Sequence, residues 1–347
     1  MPIFTKGLVL TQHKEPALSR PIVRFVNPQW DNRELDIAKL AAPDERRAII
    51  EVARRAEIVD ERDGRPLHEM LEKSLGSADI VIADAVDDEP YISSKMGPLL
   101  AFREEVAAGL DLCCRVAGCE AKGIMAYKMI TDTQTRIPRS IEGIKVTKVR
   151  AGYPTTQQTR LAGFARGNKL VVGAGALIHL ARAVKDRKVQ TSTFVSVVGN
   201  CVTNPMNLEV SVGMTVMQVL ERCGLSEVPT RIVCGGSMTG IAVIDAEHTL
   251  VTYTTKAILA VRENVLDMHY SCISCGRCVQ RCPAGLSPMY IRRLVDRNRW
   301  DGVEDYDPHL CIGCGTCSYI CPSKLEVAAS VQKAKGKLST EKVVSNR

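Results

Sequence analysis

Cys272-Ile273-Ser274-Cys275-Gly276-Arg277-Cys278-Val279-Gln280-Arg281-Cys282-Pro283 has a near copy further on, Cys311-Ile312-Gly313-Cys314-Gly315-Thr316-Cys317-Ser318-Tyr319-Ile320-Cys321-Pro322. In each run two-residue gaps separate the first three cysteines, and a three-residue gap leads to a cysteine beside proline. Two-residue gaps let one tight turn aim three thiolates at a single inorganic cube. The fourth cysteine starts a helix pointing elsewhere, and in two-cluster ferredoxins it ligates the other cluster. On this pattern Cys272, Cys275, Cys278 and Cys321 are expected to hold one [4Fe-4S] cluster, and Cys311, Cys314, Cys317 and Cys282 a second. Gly276, Gly313 and Gly315 relieve crowding where backbone amides approach the sulfides. Zinc is the alternative, but structural zinc takes C-x2-C pairs split by a longer insert, four ligands to a site. Two runs of four with a trailing Cys-Pro fit that poorly.

The other cysteines, 113, 114, 119, 201, 223 and 234, have no chelating spacing and are expected to be buried thiols that pack as small hydrophobes. The opening MPIFTKGLVLTQHKEP lacks the basic–apolar–small order of a secretory signal. A reducing, cytoplasmic setting is therefore expected, where clustered cysteines bind metal rather than each other. The longest apolar stretch, 170–184, is short and holds two glycines, His179 and Arg182, so direct membrane insertion is not expected. Any membrane association would be peripheral, through a partner. Aromatic residues make up 4% of the chain, too few for base-stacking platforms, so no nucleic-acid partner is expected. The histidines at 13, 68, 179, 248, 269 and 309 are dispersed, with no hydrolase grouping.

At 347 residues the chain is long enough for two or three domains. Asp44 to Glu57 reads as a helix with Ile49, Ile50, Val52, Ala53 and Ala56 on its apolar face. The run Ile80-Val81-Ile82 reads as a buried parallel strand that stops at Asp84. Gly97 to Val116 has helical spacing, 122–130 and 144–149 read as strands, and 174–185 as another helix. Strands alternating with helices predict an α/β domain with a mostly parallel sheet over 41–188. From Thr191 the texture changes. TSTFVSVVGN and NLEVSV read as a hairpin, followed by a helix over Met214–Cys223 and a strand over 230–233, which predicts a β-grasp module over 190–256. Residues 257–335 read as short helices around the cysteine runs, and 336–347 as a flexible polar tail.

With these motifs placed, the chain resembles the C subunit of the Rnf electron-transport complex and, more distantly, the flavin-bearing NADH-oxidising subunit of respiratory complex I. LVLTQHKEPALSRPIV is similar to the start of the family's N-terminal barrel-sandwich module, which implies that 1–40 is a shortened remnant of it. DIVIADAVDDEPYISSK resembles the family's strand and acidic loop, with Glu89-Pro90-Tyr91 in place. NPMNLEVSVGMTV and GGSMTG resemble its soluble-ligand-binding β-grasp (SLBB) domain, and CPAGLSPMYI the turn between cysteine runs. The resemblance implies an α/β domain of the flavin-subunit type, a β-grasp domain and a two-cluster ferredoxin-like segment.

One motif departs from the family. Where a segment of the type AGIVGxGGAxFPTHxKL supplies glycine amides to flavin or nucleotide phosphate, this chain has AEIVDERDGRPLHEML, residues 56–71. Glu57, Asp60, Arg62 and Asp63 stand where most of the glycines would be, and only Gly64 remains. Their side chains obstruct close backbone approach and the carboxylates repel phosphate, so bound FMN is not expected. Gly173-x-Gly175 lacks the third glycine and the acidic residue of a dinucleotide loop and reads as an ordinary strand-to-helix turn. Asp84, Asp87, Asp88 and Glu89 read as a solvated acidic loop, with cation coordination as the sharper alternative.

The leading expectation is thus an electron-transfer protein without a catalytic site of its own. Its partner would be a ferredoxin- or flavodoxin-type donor, or a component of a reductase or larger complex, including the proline-reductase type of amino-acid fermentation. The alternatives are an FMN-dependent NADH oxidoreductase component of an Rnf-like complex, or a scaffold that binds a cobalamin-like ligand on its β-grasp domain. Between Arg277 and Arg299 lie Arg277, Arg281, Arg292, Arg293, Arg297 and Arg299 against Asp296 alone. That excess suits either charge compensation for an anionic cluster or steering of an acidic carrier.

Overall fold

Asp44 adopts an extended conformation and its carboxylate accepts a hydrogen bond from the Arg47 amide at 2.9 Å, so the first long helix starts there. The computed structural model describes residues 21–31, 33–35, 44–87, 89–128, 137–149, 153–154, 167–262 and 270–345. Residues 1–20, most of the expected barrel-sandwich remnant, lie outside that set, as do Asp88, His13 and His269.

A short strand β1 (Val23–Phe25) and a single turn α1 (Pro28–Asp31) precede the helix α2 (Glu45–Arg55). The apolar face of α2, with Ile49, Ile50, Val52 and Ala53, is buried. A further helix, α3 (Leu67–Lys73), buries Leu67, Met70 and Leu71; it is too short for its period to stand out in the sequence. Strand β2 (Ile80–Asp87) runs past the expected stop at Asp84, because the Asp84 and Asp87 carboxylates are internally satisfied. The helix expected over 97–116 is broken at Phe102 into α4 (Met96–Ala101) and α5 (Arg103–Ala117). The break brings the Phe102 ring 5.8 Å from that of Phe194 and under the Arg182 guanidinium.

Strands β3 (Lys122–Lys128), β4 (Ser140–Ile141), β5 (Ile144–Lys148) and β6 (Lys169–Gly173) complete a five-stranded sheet of order β4-β5-β3-β2-β6. Every pairing is parallel except the β4–β5 edge. Helix α6 (Ala174–Asp186) follows β6 directly and packs on α5 at Gly109. A Cβ there would stand 2.3 Å from the Leu177 carbonyl oxygen, so only glycine lets these helices meet.

A second, six-stranded sheet has the order β1-β8-β7-β11-β9-β10. It consists of β1 with β7 (Ser192–Val198), β8 (Met206–Ser211), β9 (Arg231–Cys234), β10 (Ile241–Val243) and β11 (Ala257–Val261). Strands β7 and β8 form the expected hairpin, and β11 lies parallel to β7 at the centre. The sheet therefore runs on to Val261, past the expected limit at 256, and takes in β1 from the N-terminal segment. Its core includes Val195, Leu208, Val219, Leu220 and Ile258. Helix α7 (Val216–Cys223) begins in a capping box, with Thr215 and Gln218 bonding reciprocally.

The C-terminal segment contains α8 (Arg277–Gln280), α9 (Pro288–Asp296), α10 (Thr316–Tyr319) and α11 (Val327–Ser345). The tail expected to be flexible from 336 is part of α11 through Ser345. Val331, Ala334 and Leu338 recur on one helical face and are buried with Leu286, Ile291, Val295 and Val303, which holds the helix beyond the point where its composition turns polar.

Candidate iron–sulfur centre and a filled anion pocket

Sequence duplication becomes geometric duplication in the cysteine runs. Gly276 (φ 72°) starts α8 and Gly315 (φ 74°) starts α10, both left-handed. The amide of Cys282 donates to the Val279 carbonyl at 3.2 Å, and that of Cys321 to the Ser318 carbonyl at 3.2 Å. Ser274 (φ 57°) holds in the first run the left-handed position that Gly313 (φ 72°) holds in the second. Lys324 (φ 53°) likewise stands where the first run has Gly285 (φ 68°). Two non-glycine residues accept that strain so that each run keeps the same turn.

Cys272, Cys275, Cys278 and Cys321 together line one narrow cleft, with Ile273, Met289, Arg277 and Arg292 among its other walls. Burial pushes the Cys278 thiol above its ordinary value, and the neighbouring Cys321 and Cys275 push it further. Burial also raises Cys311 and Cys317; Cys314 and Cys282 add to both, and the Cys311 thiol adds to the rise at Cys317. Cys282 and Cys311 pack on the same small apolar core. Among the described residues no three His, Cys, Asp or Glu side chains converge closely enough for a single metal ion. Four thiolates around a four-iron cube stand wider than the ligands of one ion, and the donor set here is all sulfur. The residues fit iron–sulfur clusters.

Arg292 and Arg293 lie beside the first cysteine run. Arg292 lines the cleft and pairs with Asp296 at 2.8 Å, while Arg293 donates to the Ser274 hydroxyl at 2.5 Å. Arg277, Arg281, Arg297 and Arg299 are exposed. The remaining cysteines are buried or half-buried.

A second constellation occupies the α/β domain where β6 meets α6. Asp60 is fully buried, accepts from Arg62 at 2.9 Å and from the Gly173 amide at 3.1 Å. The Glu61 carboxylate accepts from the amides of Gly175 at 2.9 Å and Ala176 at 3.0 Å, the first turn of α6. A Cβ on Gly173 would lie 2.3 Å from that carboxylate. Arg62 also donates to the Val171 carbonyl at 2.6 Å. Lys95 reaches Asp84 at 3.1 Å, and Asp87 accepts from the Met96 amide at 2.8 Å. Burial, then the Asp60 charge, pushes Glu61 up to about 7. Burial pushes Asp87 up to about 7 as well. Burial alone would raise Asp84 too, but Lys95 and Arg62 outweigh it and hold the carboxyl below its ordinary value.

The acidic group at the end of β2 is therefore not solvated. Asp84, Asp87 and Glu89 are all buried, because each meets donors from elsewhere in the fold. Glu89 accepts from the Met238 amide at 2.7 Å and from the Thr239 hydroxyl at 2.5 Å, joining the GGSMTG loop to the α/β domain.

Residues 271–326 match the 4Fe-4S dicluster domain family, and residues 194–242 match the SLBB domain family. The C subunit of the ion-translocating oxidoreductase complex of Rhodobacter capsulatus is 29% identical over 277 residues, covering 75% of this chain and 53% of the relative. The C subunit of the Na(+)-translocating ferredoxin:NAD(+) oxidoreductase complex of Acetobacterium woodii is 25% identical over 243 residues, covering 65% and 55%. The chain is similar to the C subunits of these ion-translocating complexes. The chain spans about half the length of these curated relatives. In fold it is similar to a chain of an NAD+-reducing [NiFe]-hydrogenase, with TM-score 0.56 and 13% identity, covering 94% of this chain and 72% of that one.

The carboxylates over 57–63 divide into two kinds. Glu57 and Asp63 point outward and pair with Arg33 and Arg65. Asp60 and Glu61 turn inward and take the amides of β6 and α6. Glu61 was not singled out from the sequence. The signal available was its place between Asp60 and Arg62, but the amides it meets lie more than 110 residues away. The Gly175 and Ala176 amides at the head of α6 are thus taken by a carboxylate of the chain itself. Among the described residues no helix is long and apolar enough to cross a membrane.

Proposed function

We propose that this chain passes single electrons through two [4Fe-4S] clusters between a reduced donor and a partner reductase or complex. One cluster would be held by Cys272, Cys275, Cys278 and Cys321, the other by Cys311, Cys314, Cys317 and Cys282. The observation that carries this reading is Cys321, a second-run cysteine lining the same cleft as the thiols of the first run. The clusters supply one-electron chemistry without a change of ligands. The chain's residues hold the thiolates in register, shield the second run in a small apolar core and surround the first with arginines. We assign no catalytic residue to this chain, and we read its second sheet as a β-grasp fold from the central parallel β7–β11 pair and the hairpin beside it.

Protein purified without oxygen should hold about eight iron and eight acid-labile sulfide per chain. Cys282→Ala should damage the cluster of Cys311, Cys314 and Cys317, as read by electron paramagnetic resonance; damage to the other signal refutes the pairing. The alternative, an FMN-dependent NADH oxidoreductase, meets the obstacle of Asp60 and Glu61. Recovery of about one FMN per chain after gel filtration, with unaided NADH oxidation, would replace our reading with that one. The curated relatives are named as subunits of complexes, which supports a protein partner, and contact with a membrane would then be made through that partner.

A further inference from the structure

Helix α11 presents two polar side chains to the second cysteine run. The Gln332 amide nitrogen donates to the Cys311 sulfur at 3.1 Å, and the Lys335 ammonium donates to the Cys311 carbonyl oxygen at 2.7 Å. The two are three residues apart, on neighbouring positions of one helical face. Both are held on a fixed element, since Val331, Ala334 and Leu338 of the same helix are buried. The first run is differently situated, with Cys272 and Cys275 exposed and Cys311 half-buried.

Reduction of a thiolate-ligated cluster adds one negative charge, which spreads onto the ligand sulfurs. An N–H group aimed at a sulfur, and an ammonium beside its residue, stabilise the reduced form more than the oxidised form and raise the potential. Removing either favours the oxidised form.

We propose that Gln332, supported by Lys335, sets the reduction potential of the cluster that Cys311 ligates, and leaves the other cluster's potential alone. Gln332 is a positioning residue: it touches a ligand sulfur, not an electron partner. The inference rests on the reading of Cys311 as a cluster ligand.

The test is a mediated redox titration of the anaerobic full-length protein, followed by electron paramagnetic resonance, for wild type, Gln332→Met and Lys335→Met. Methionine keeps the chain length of glutamine and removes the donor. The signal perturbed by Cys311→Ser identifies the cluster concerned. With iron content unchanged, each variant should move that cluster's midpoint potential to a more negative value, while the other midpoint stays in place. If Gln332→Met loses iron, Lys335→Met decides, because its side chain meets only a backbone carbonyl. Full iron with both midpoints unmoved, or both moved together, overturns the proposal. Wild-type protein with only about four iron per chain would instead overturn the two-cluster reading, and that is known before any titration begins.

Discussion

Lys95 is 4% exposed yet keeps its charge. Burial by itself would lower its pKa, but Asp84, then Asp87 and Glu61, raise it above the ordinary value. Lys95→Met would remove the ion-pair partner of the buried Asp84, at a cost of roughly 3–5 kcal/mol, measurable as a lower urea midpoint. The same cluster makes stability depend on pH. Glu61 and Asp87 titrate at about 7 in the fold, against about 4 in the unfolded chain. The folded state thus binds more protons across that window, so their contribution is full below about pH 4 and is lost as pH rises through about 7. Asp84 acts in the opposite sense, with its contribution present at neutral pH and lost on acidification. Glu61→Gln should flatten the decline in stability between about pH 5 and 7; parallel wild-type and variant profiles would show that Glu61 does not titrate there.

At the scale of elements, Thr215 and Gln218 close the start of α7 in the second sheet's layer. Thr215→Ala should cost about 1 kcal/mol in denaturant unfolding, without loss of iron, because the cap is remote in sequence from the cysteine runs. Helix α11 behaves differently, since Leu338 is 8% exposed amid the polar stretch KGKLSTEK of that helix. Leu338→Ala should destabilise by roughly 2–3 kcal/mol and hasten cluster loss in air, because α11 also carries the contacts to Cys311. Equal rates of bleaching in variant and wild type would separate the helix from the cluster.

Across the whole molecule, charge is arranged around the first cysteine run. Arg292 and Arg293 are committed to Asp296 and Ser274, whereas Arg281 and Arg297 are exposed. An acidic electron carrier steered to this face should respond to the exposed pair. Arg281→Glu with Arg297→Glu should slow electron transfer from an acidic ferredoxin or flavodoxin several-fold at low ionic strength, and added salt should erase the difference. A rate indifferent to both changes would assign the arginines to the clusters alone.

Some of this molecule was legible residue by residue. The paired C-x2-C-x2-C-x3-C-P runs announce their chemistry because the ligand spacing is local, and each run's turn is made within the run itself. The alternation of strands and helices over 41–188 was legible for the same reason, since periodicity is a short-range property. Local order along the chain was thus enough for the cysteine pattern, the parallel α/β sheet and the loss of the family's glycine loop. Where the displaced charges went was settled only by folding. Asp60 and Glu61 find amides more than 110 residues away, and Glu89, read as solvated, is buried against donors about 150 residues on. Folding likewise settled that α11 continues past residue 336 and that Gln332 meets Cys311, because a buried polar group is stabilised by whichever partner the fold brings to it, and sequence distance carries no record of that partner.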